Sequence, residues 1–240
     1  VKEVLDSFKK GDKIVFIHGV CGTGKSAIAL NIAKELGRSS IVVAGKALQG
    51  QYKKDYEKNK YLLDKKGNKL KISVMTGRAN HKCPFLEKKN SVIPRIKKEV
   101  DSKLHDIFEG KGLEEEKRKD ISANVWDLPC KIEIKEKNWR KIKEYLKQNK
   151  NVDSSKFNEI REITRASIGR SCPYWSPVVP GKFEIKSFPD SRKRIYNGLK
   201  DTKFIIHQGH PGCGFYEQFN SYIDSDIIVF NSMKYVLETA

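Results

Sequence analysis

Eight consecutive residues, from Gly19 to Ser26, have the composition of a phosphate-binding loop. They read Gly-Val-Cys-Gly-Thr-Gly-Lys-Ser and fit the pattern G-x-x-x-x-G-K-[ST] in full. Glycines allow torsions that turn successive N–H groups toward a phosphate, and a following helix adds its positive N-terminus. Lys25 would reach the β- and γ-phosphates and the Ser26 hydroxyl would bind Mg²⁺, so both are predicted to be catalytic. The predicted nucleotide-binding residues are Gly19, Val20, Cys21, Gly22, Thr23, Gly24, Lys25 and Ser26.

Five cysteines are the second group of residues with chemical potential. Cys21 lies inside the loop, at a position that tolerates many residues, and we expect it to pack as a small buried side chain. The others, Cys83, Cys130, Cys172 and Cys213, are all more than ten positions apart, unlike the paired ligands of usual zinc modules. Four thiolates suffice for Zn²⁺ or for an iron–sulfur cluster. Four unrelated buried cysteines are an equally good interpretation at this stage.

The elements that must position these residues alternate between strand and helix. An apolar run at 13–19 predicts a buried parallel strand before the loop, and helical spacing over 25–36 predicts a helix after it, with Gly37 as its C-cap. This context favours a nucleotide site over a glycine-rich turn that binds nothing, although the loop does not say which reaction follows. Further strands are predicted at 41–44, 71–75 and 226–231, and a polar helix at 47–57. The alternation predicts an α/β parallel sheet with right-handed crossovers.

The α/β pattern is interrupted between the third strand and the last. Residues 95–119 are crowded with charges of both signs, and residues 131–150 contain eight lysines and arginines against three glutamates. Neither stretch has the pattern of a sheet strand. We therefore predict a phosphate-loop domain over 1–77, an insertion over 78–215 and a return to the first domain over 216–240.

The charge of the chain indicates its partners. Its 240 residues contain 48 Lys and Arg against 30 Asp and Glu, a formal net charge of +18, which makes nucleic acid the first expected partner. Trp139 and Tyr145 lie in the basic stretch, where stacking aromatics would suit single-strand binding; a solvated helix with Trp139 packed inward is the alternative. Without a run of ~18 apolar residues or a signal-like amino end, we expect no membrane contact and a cytoplasmic or nucleoid-associated protein.

Five segments resemble the XPD/DinG-type iron–sulfur helicases of superfamily 2. Residues 76–84 resemble the G-R-x-N-Y-x-C segment that follows the third strand of that family. Cys172 and Cys213 are each followed by aromatic residues, as in the family, and residues 226–231 resemble the strand beyond the last cluster cysteine. Residues 47–51 resemble motif Ia, although its usual threonine is missing.

The resemblance implies an α/β, RecA-like motor fragment with a mostly helical four-cysteine insertion that holds a [4Fe–4S] cluster. Carried over to this sequence, Cys83 is the first ligand, Cys172 the third and Cys213 the fourth, and Cys130 is the one candidate for the second. The gaps between these cysteines are longer than is typical of the family, which implies extra helices between them. Less favoured substitutes are His207 and His210.

The same resemblance implies an ATP-dependent DNA helicase that moves 5′→3′ on single-stranded DNA, opens forked DNA and works as a monomeric motor with ATP, Mg²⁺ and the cluster. The chain starts without methionine and stops at residue 240 without a helix-ending signal, so we expect a fragment. A D-E-A-H-type carboxylate pair and an arginine finger are expected further on, and the fragment alone should be inactive.

Two other classes stay open. One is a phosphate-loop kinase or GTPase-like enzyme with a zinc-stapled lid, and the other is a nucleic-acid-binding module with a vestigial loop. Metal analysis and visible absorption separate the first from the helicase, because an iron–sulfur cluster is brown and zinc is colourless. Nucleotide binding by a longer chain would exclude the second.

Overall fold

The computed structural model of the chain describes residues 1–91, 120–185, 188, 192–198 and 202–239. The chain divides into two compact units. The first comprises Val1–Thr76, Ile195–Lys203 and Gln218–Ala240, and the second comprises Gly77–Arg194 and Phe204–Glu217. The charge-rich stretch 95–119, for which no strand is predicted, lies outside the described residues.

Helices and strands alternate early in the chain and become shorter later. In chain order, the elements up to residue 91 are α1 (Lys2–Lys9), α2 (Lys25–Leu36), β1 (Ser39–Val43), α3 (Lys46–Tyr52), β2 (Ile72–Val74) and α4 (Pro84–Ser91). Those after residue 120 are α5 (Trp139–Gln148), α6 (Arg165–Gly169), β3 (Val178–Pro180), β4 (Arg192–Asn197), β5 (Lys203–Gln208), α7 (Gly214–Glu217), α8 (Ser221–Asp224), β6 (Ile227–Asn231) and α9 (Ser232–Thr239). Among the helices of these ranges, none combines the length and the apolar character that a membrane span needs.

Strand β6 is the centre of a three-stranded parallel sheet with the order β1-β6-β2. Ile227 lies opposite Ser39 on one side and opposite Ile72 on the other. Residues 227–230 are all buried, which agrees with their continuous apolar run, because a parallel strand is covered on both faces. The predicted α/β class is confirmed, and so are the strands predicted at 41–44, 71–75 and 226–231, within a residue or two at their ends.

The core of the first unit lies between this sheet and the helices α2 and α3. Leu30 and Ala33 of α2 and Tyr52 of α3 are buried in one cluster with apolar residues of all three strands. Helix α2 has the predicted bounds and is followed by Gly37 with a φ of 84°, a left-handed conformation that glycine adopts without strain. The predicted polar helix at 47–57 is α3, continued by a π-helical segment, Lys53–Asn59.

The strand predicted at 13–19 does not form in this structure. Residues 14–20 have no regular secondary structure, and Ile14, Ile17 and especially Phe16, at 92% exposure, face solvent. A strand needs a neighbour that supplies ladder hydrogen bonds, and none of the strands in the described ranges pairs with this segment. The apolar composition alone therefore gave a wrong prediction here.

The second unit is less purely helical than predicted. A second three-stranded sheet has the order β3-β5-β4, and β3 pairs antiparallel with β5 so that Val178 lies opposite Ile206. The same region of the chain also contains short helices, several 3₁₀ turns and the longer helix α5. The prediction of a mostly helical insertion overlooked this sheet because its strands are short and one of them, β4, is largely polar.

Candidate functional site

The phosphate loop joins the irregular segment 13–19 to the start of α2. Gly22 and Gly24 have φ values of 86° and 78°, in the left-handed region where a side chain would be strained. A Cβ atom at Gly19 would lie 2.8 Å from Oγ1 of Thr23, so this turn also needs glycine. Glycine thus serves backbone conformation at positions 22 and 24 and close packing against Thr23 at position 19.

Lys25 is the first residue of α2, and its side chain turns back across the loop. Its Nζ donates hydrogen bonds to the carbonyl oxygens of Gly19 at 2.9 Å and Val20 at 2.6 Å. The hydroxyl of Thr23 also donates to the Val20 carbonyl, at 2.8 Å. The ammonium group thus lies against the loop backbone, beside the free N–H groups of the helix N-terminus, where a phosphate would find positive charge from both.

Ser26, the last residue of the loop pattern, is half-buried and lies beside α3. Its carbonyl oxygen accepts a hydrogen bond from the hydroxyl of Tyr52 at 3.5 Å. This contact fixes the start of α2 against α3, while residues 20–25 stay exposed. The loop is therefore anchored at Ser26, and residues 20–25 are accessible to solvent.

Cys21 is exposed, so the expectation that it packs as a small buried side chain is wrong. Its position explains the exposure. It lies on the exposed part of the loop together with the preceding residue, Val20, which is 72% exposed.

The other four cysteines all belong to the second unit. Cys83, Cys172 and Cys213 are buried and Cys130 is half-buried. Burial raises the pKa of Cys172, and the thiols of all three other cysteines raise that pKa further. Burial likewise raises the pKa of Cys83, with smaller contributions from Cys130 and Cys213. Because such electrostatic effects act over short distances, the four sulfur atoms share one neighbourhood.

This neighbourhood is not a tight single-ion site. Within the described parts of the chain, no three His, Cys, Asp or Glu side chains converge closely enough to hold one metal ion. His207, a less favoured substitute ligand, is buried in β5 with its ring 5.6 Å from that of Phe188, and His210 is exposed. Burial is the main cause that lowers the pKa of His207. The charges of Lys193 and Arg170 lower this pKa further, and the charge of Glu184 raises it.

Two arginines surround Cys130. Nη1 of Arg78 donates to Sγ of Cys130 at 3.4 Å, and its guanidinium carbon lies 4.1 Å from the centre of the Phe215 ring. Arg165 donates to the carbonyl oxygens of Pro129 at 3.0 Å and Ile132 at 2.6 Å, one on each side of the cysteine. The sequence placed Arg78 in a motif without giving it this role, and it gave no signal for Arg165.

A comparison with protein families decides the class of the chain. Residues 1–155 match the family described as "Type III restriction enzyme, res subunit". The chain belongs to this family. Its members carry a helicase-like ATPase motor domain, the N-terminal motor of superfamily 2, and the parallel sheet with its phosphate loop agrees with that fold. No curated protein and no solved structure gives a significant match.

The two aromatic residues of the basic stretch in this res-subunit family member, Trp139 and Tyr145, differ in their exposure to solvent. Tyr145 is 2% exposed, and its hydroxyl donates to the carbonyl oxygen of Asp127 at 2.6 Å, so it offers no stacking surface. Trp139 is half-buried, with Nζ of Lys143 4.8 Å from its ring centre. The tryptophan that is open to solvent is Trp126, which composition and spacing did not single out.

Proposed function

We propose that this chain is part of an ATP-dependent DNA helicase of the XPD/DinG type, which moves 5′→3′ on single-stranded DNA and opens forked DNA as a monomeric motor. The family supports the coarser part of this proposal, a helicase-like ATPase motor. The observation that carries the finer part is the shared neighbourhood of Cys83, Cys130, Cys172 and Cys213, which are roughly forty residues apart in sequence.

For the nucleotide we propose ATP with Mg²⁺ at residues 19–26. Lys25 would exchange the loop carbonyls of Gly19 and Val20 for phosphate oxygens, since its ammonium group already lies at the loop. Ser26 would supply a hydroxyl to Mg²⁺.

For the four cysteines we propose a [4Fe–4S] cluster. The donor set fits the group, because buried thiols are soft ligands that suit iron–sulfur clusters, and the guanidinium of Arg78 offers an N–H donor to one sulfur. A cluster of several irons also holds its thiolates farther apart than one Zn²⁺ does, which is compatible with a shared neighbourhood that is too open for a single ion. When bound, the cluster would supply iron–thiolate bonds that join four separate points of the second unit.

Family membership weakens the two other classes. A kinase or GTPase-like enzyme would not be expected in a family of helicase-like ATPase motors. A vestigial loop would not be expected to keep the three glycine conformations and the contact of Lys25 with the loop carbonyls.

The test uses the full-length protein, purified without oxygen. We expect iron and sulfide in equal amounts with brown colour, ATPase activity stimulated by single-stranded DNA, and unwinding of duplexes with a 5′ tail but not a 3′ tail. Zinc in place of iron would contradict the cluster, and a preference for 3′ tails would contradict the XPD/DinG type. A lack of DNA-stimulated ATPase would contradict the motor itself.

A further inference from the structure

We infer that Trp126 and the basic helix α5 form a binding surface for single-stranded DNA on the second unit. In this surface Trp126 stacks on a base, and basic side chains of α5 contact phosphates. The inference rests on the proposed function in taking DNA as the polymer, and it adds a site that is separate from the phosphate loop and the cysteines.

The first observation is the exposure of Trp126. Its side chain is 65% exposed, although tryptophan is highly buried on average. Its immediate neighbours Val125 and Asp127 are half-buried, and Leu128 is buried. The segment is therefore packed into the unit while one large aromatic ring is left facing solvent.

The second observation is that this segment is held on both sides. The N–H of Cys83 donates to the carbonyl oxygen of Ile121 at 2.8 Å, and the N–H of Ala123 donates to that of His81 at 2.8 Å. Across Trp126, Nζ of Lys131, which follows it in sequence, donates to Oδ1 of Asn124, which precedes it, at 2.8 Å. A ring on a fixed backbone loses little conformational entropy when a ligand stacks on it, which is how recognition sites are preorganised.

The third observation connects this segment to α5. The hydroxyl of the buried Tyr145 reaches the carbonyl oxygen of Asp127, the residue that follows Trp126. Ile142 and Leu146, on the same face of α5 as Tyr145, are also buried, so this face of the helix is fixed in the unit. Tyr145 is thus a positioning residue that holds the basic helix next to Trp126.

The exposed side of α5 supplies the charge. Residues 139–150 contain five basic residues and one acidic residue. Arg140, Lys143, Lys147 and Lys150 are exposed. Lys141 is half-buried, lies over the ring of Tyr145 and forms an ion pair with Glu144. Four exposed cations on this short stretch are complementary to a phosphate backbone.

These features match the chemistry of sequence-independent single-strand binding. Phosphates provide affinity that depends on salt, and every base offers a π-face to an aromatic ring. A duplex keeps its bases stacked on one another and offers Trp126 no face. The surface should therefore prefer single strands over duplex and should discriminate weakly between base sequences.

The test measures binding of unlabelled oligothymidylate to the full protein in the absence of ATP. The readout is quenching of intrinsic tryptophan fluorescence. We expect quenching in the wild type, loss of most of that quenching in Trp126→Phe, and an approximately tenfold or larger rise in Kd for Trp126→Ala, as for loss of one stacked base. The matched control is Phe183→Ala, which removes another exposed aromatic ring of the same unit, 62% exposed, and should leave Kd unchanged.

The charge component is tested with Lys143→Gln combined with Lys147→Gln. This double variant should lower the slope of log Kd against log salt concentration by about one to two, because each lost phosphate contact releases one counterion fewer. A wild-type Kd in Trp126→Ala, equal affinity for duplex, or a complete lack of oligothymidylate binding would overturn the inference.

The readout separates this inference from the proposed function. Binding and quenching need no ATP hydrolysis, and none of the four cysteines belongs to this surface. A protein that binds oligothymidylate through Trp126 but has no DNA-stimulated ATPase activity would contradict the helicase proposal and support the binding surface. If the Trp126→Ala variant unwinds DNA at the wild-type rate and binds oligothymidylate with the wild-type Kd, the helicase proposal stands and the surface is contradicted.

Discussion

Nη1 of Arg78 lies 3.4 Å from Sγ of Cys130, in hydrogen-bonding contact with the least buried of the four clustered cysteines. The same guanidinium group donates to the hydroxyl of Tyr216 at 3.3 Å and stacks on Phe215, so its position is fixed from several sides. An N–H···S bond of this kind would orient a sulfur atom that binds a metal.

Arg78→Met should therefore weaken metal retention more than folding. The variant keeps the length of the side chain but removes the charge and the N–H donors, and loss of a hydrogen bond to a ligand typically lowers metal affinity about 10- to 100-fold. The measurement is the rate of iron loss to a chelator. The control is Arg161→Met, an exposed arginine paired with Glu159 in the same unit, for which wild-type retention is expected. Equal rates in the two variants would contradict a role for Arg78 at the cysteines.

Lys25→Ala should abolish ATPase activity while single-strand binding stays close to wild type. Lys25 contacts the loop that would hold the phosphates, and removing one such charged donor should lower kcat about 100-fold or more. Steady-state ATPase rates and oligothymidylate titrations measure the two effects separately. Lys34→Ala, on the last turn of the same helix, is the matched control and should keep the wild-type rate. A wild-type rate in Lys25→Ala would remove the phosphate-loop assignment.

Cys172→Ser should make the second unit sensitive to proteolysis and abolish unwinding. Metal bonds would tie together distant points of the second unit, so their loss should loosen its packing. Limited proteolysis followed by mass spectrometry measures protection over residues 78–215, with and without iron, while ATP binding by the first unit should persist. Cys21→Ser is the control, because Cys21 is exposed and belongs to the first unit. Equal protection in the presence and absence of iron would show that the cysteines do not hold this segment.

Gln49→Leu should lower the free energy of unfolding of the first unit by about 1–3 kcal/mol, the usual cost of leaving buried polar partners unsatisfied. The amide of Gln49 is 3% exposed, donates to the carbonyl oxygen of Met75 at 2.5 Å and accepts from Nδ2 of Asn231 at 3.0 Å. Urea denaturation measures the loss. Gln51→Leu replaces an exposed glutamine of the same helix and should change stability by less than ~0.5 kcal/mol. Similar losses for both variants would rule out a specific role for the Gln49 network.

The elements that the sequence predicted well are those whose signal is local. The helix after the phosphate loop begins at Lys25 because its start and its glycine C-cap are encoded within a few residues, and the strand at 226–231 is apolar on both faces. The run at 13–19 has nearly the same composition but no partner strand in the described ranges, and strand pairing depends on distant residues. Composition cannot distinguish these two cases.

The features that sequence reasoning missed are non-local contacts. Tyr145 looked like a stacking residue because it lies among lysines, but its hydroxyl is satisfied by a backbone carbonyl 18 positions earlier. Arg165 reaches carbonyls more than thirty positions away, and no pattern near it indicates this. That the four cysteines hold an iron–sulfur cluster was suggested only by resemblance, and it stays a prediction.

The position of β6 has a consequence for how the chain acquires its fold during synthesis. Ile227 pairs with residues of both β1 and β2, so these two strands are separated by a gap that only β6 fills. The ribosome must deliver every residue from Val74 to Ile227 before that gap can close. At about 5–20 residues per second this interval lasts on the order of ten seconds or more, during which both early strands have unpaired edges. Closure of the sheet is therefore a late, long-range folding step, and the nascent chain should depend on chaperones most strongly in the period before residue 227 emerges.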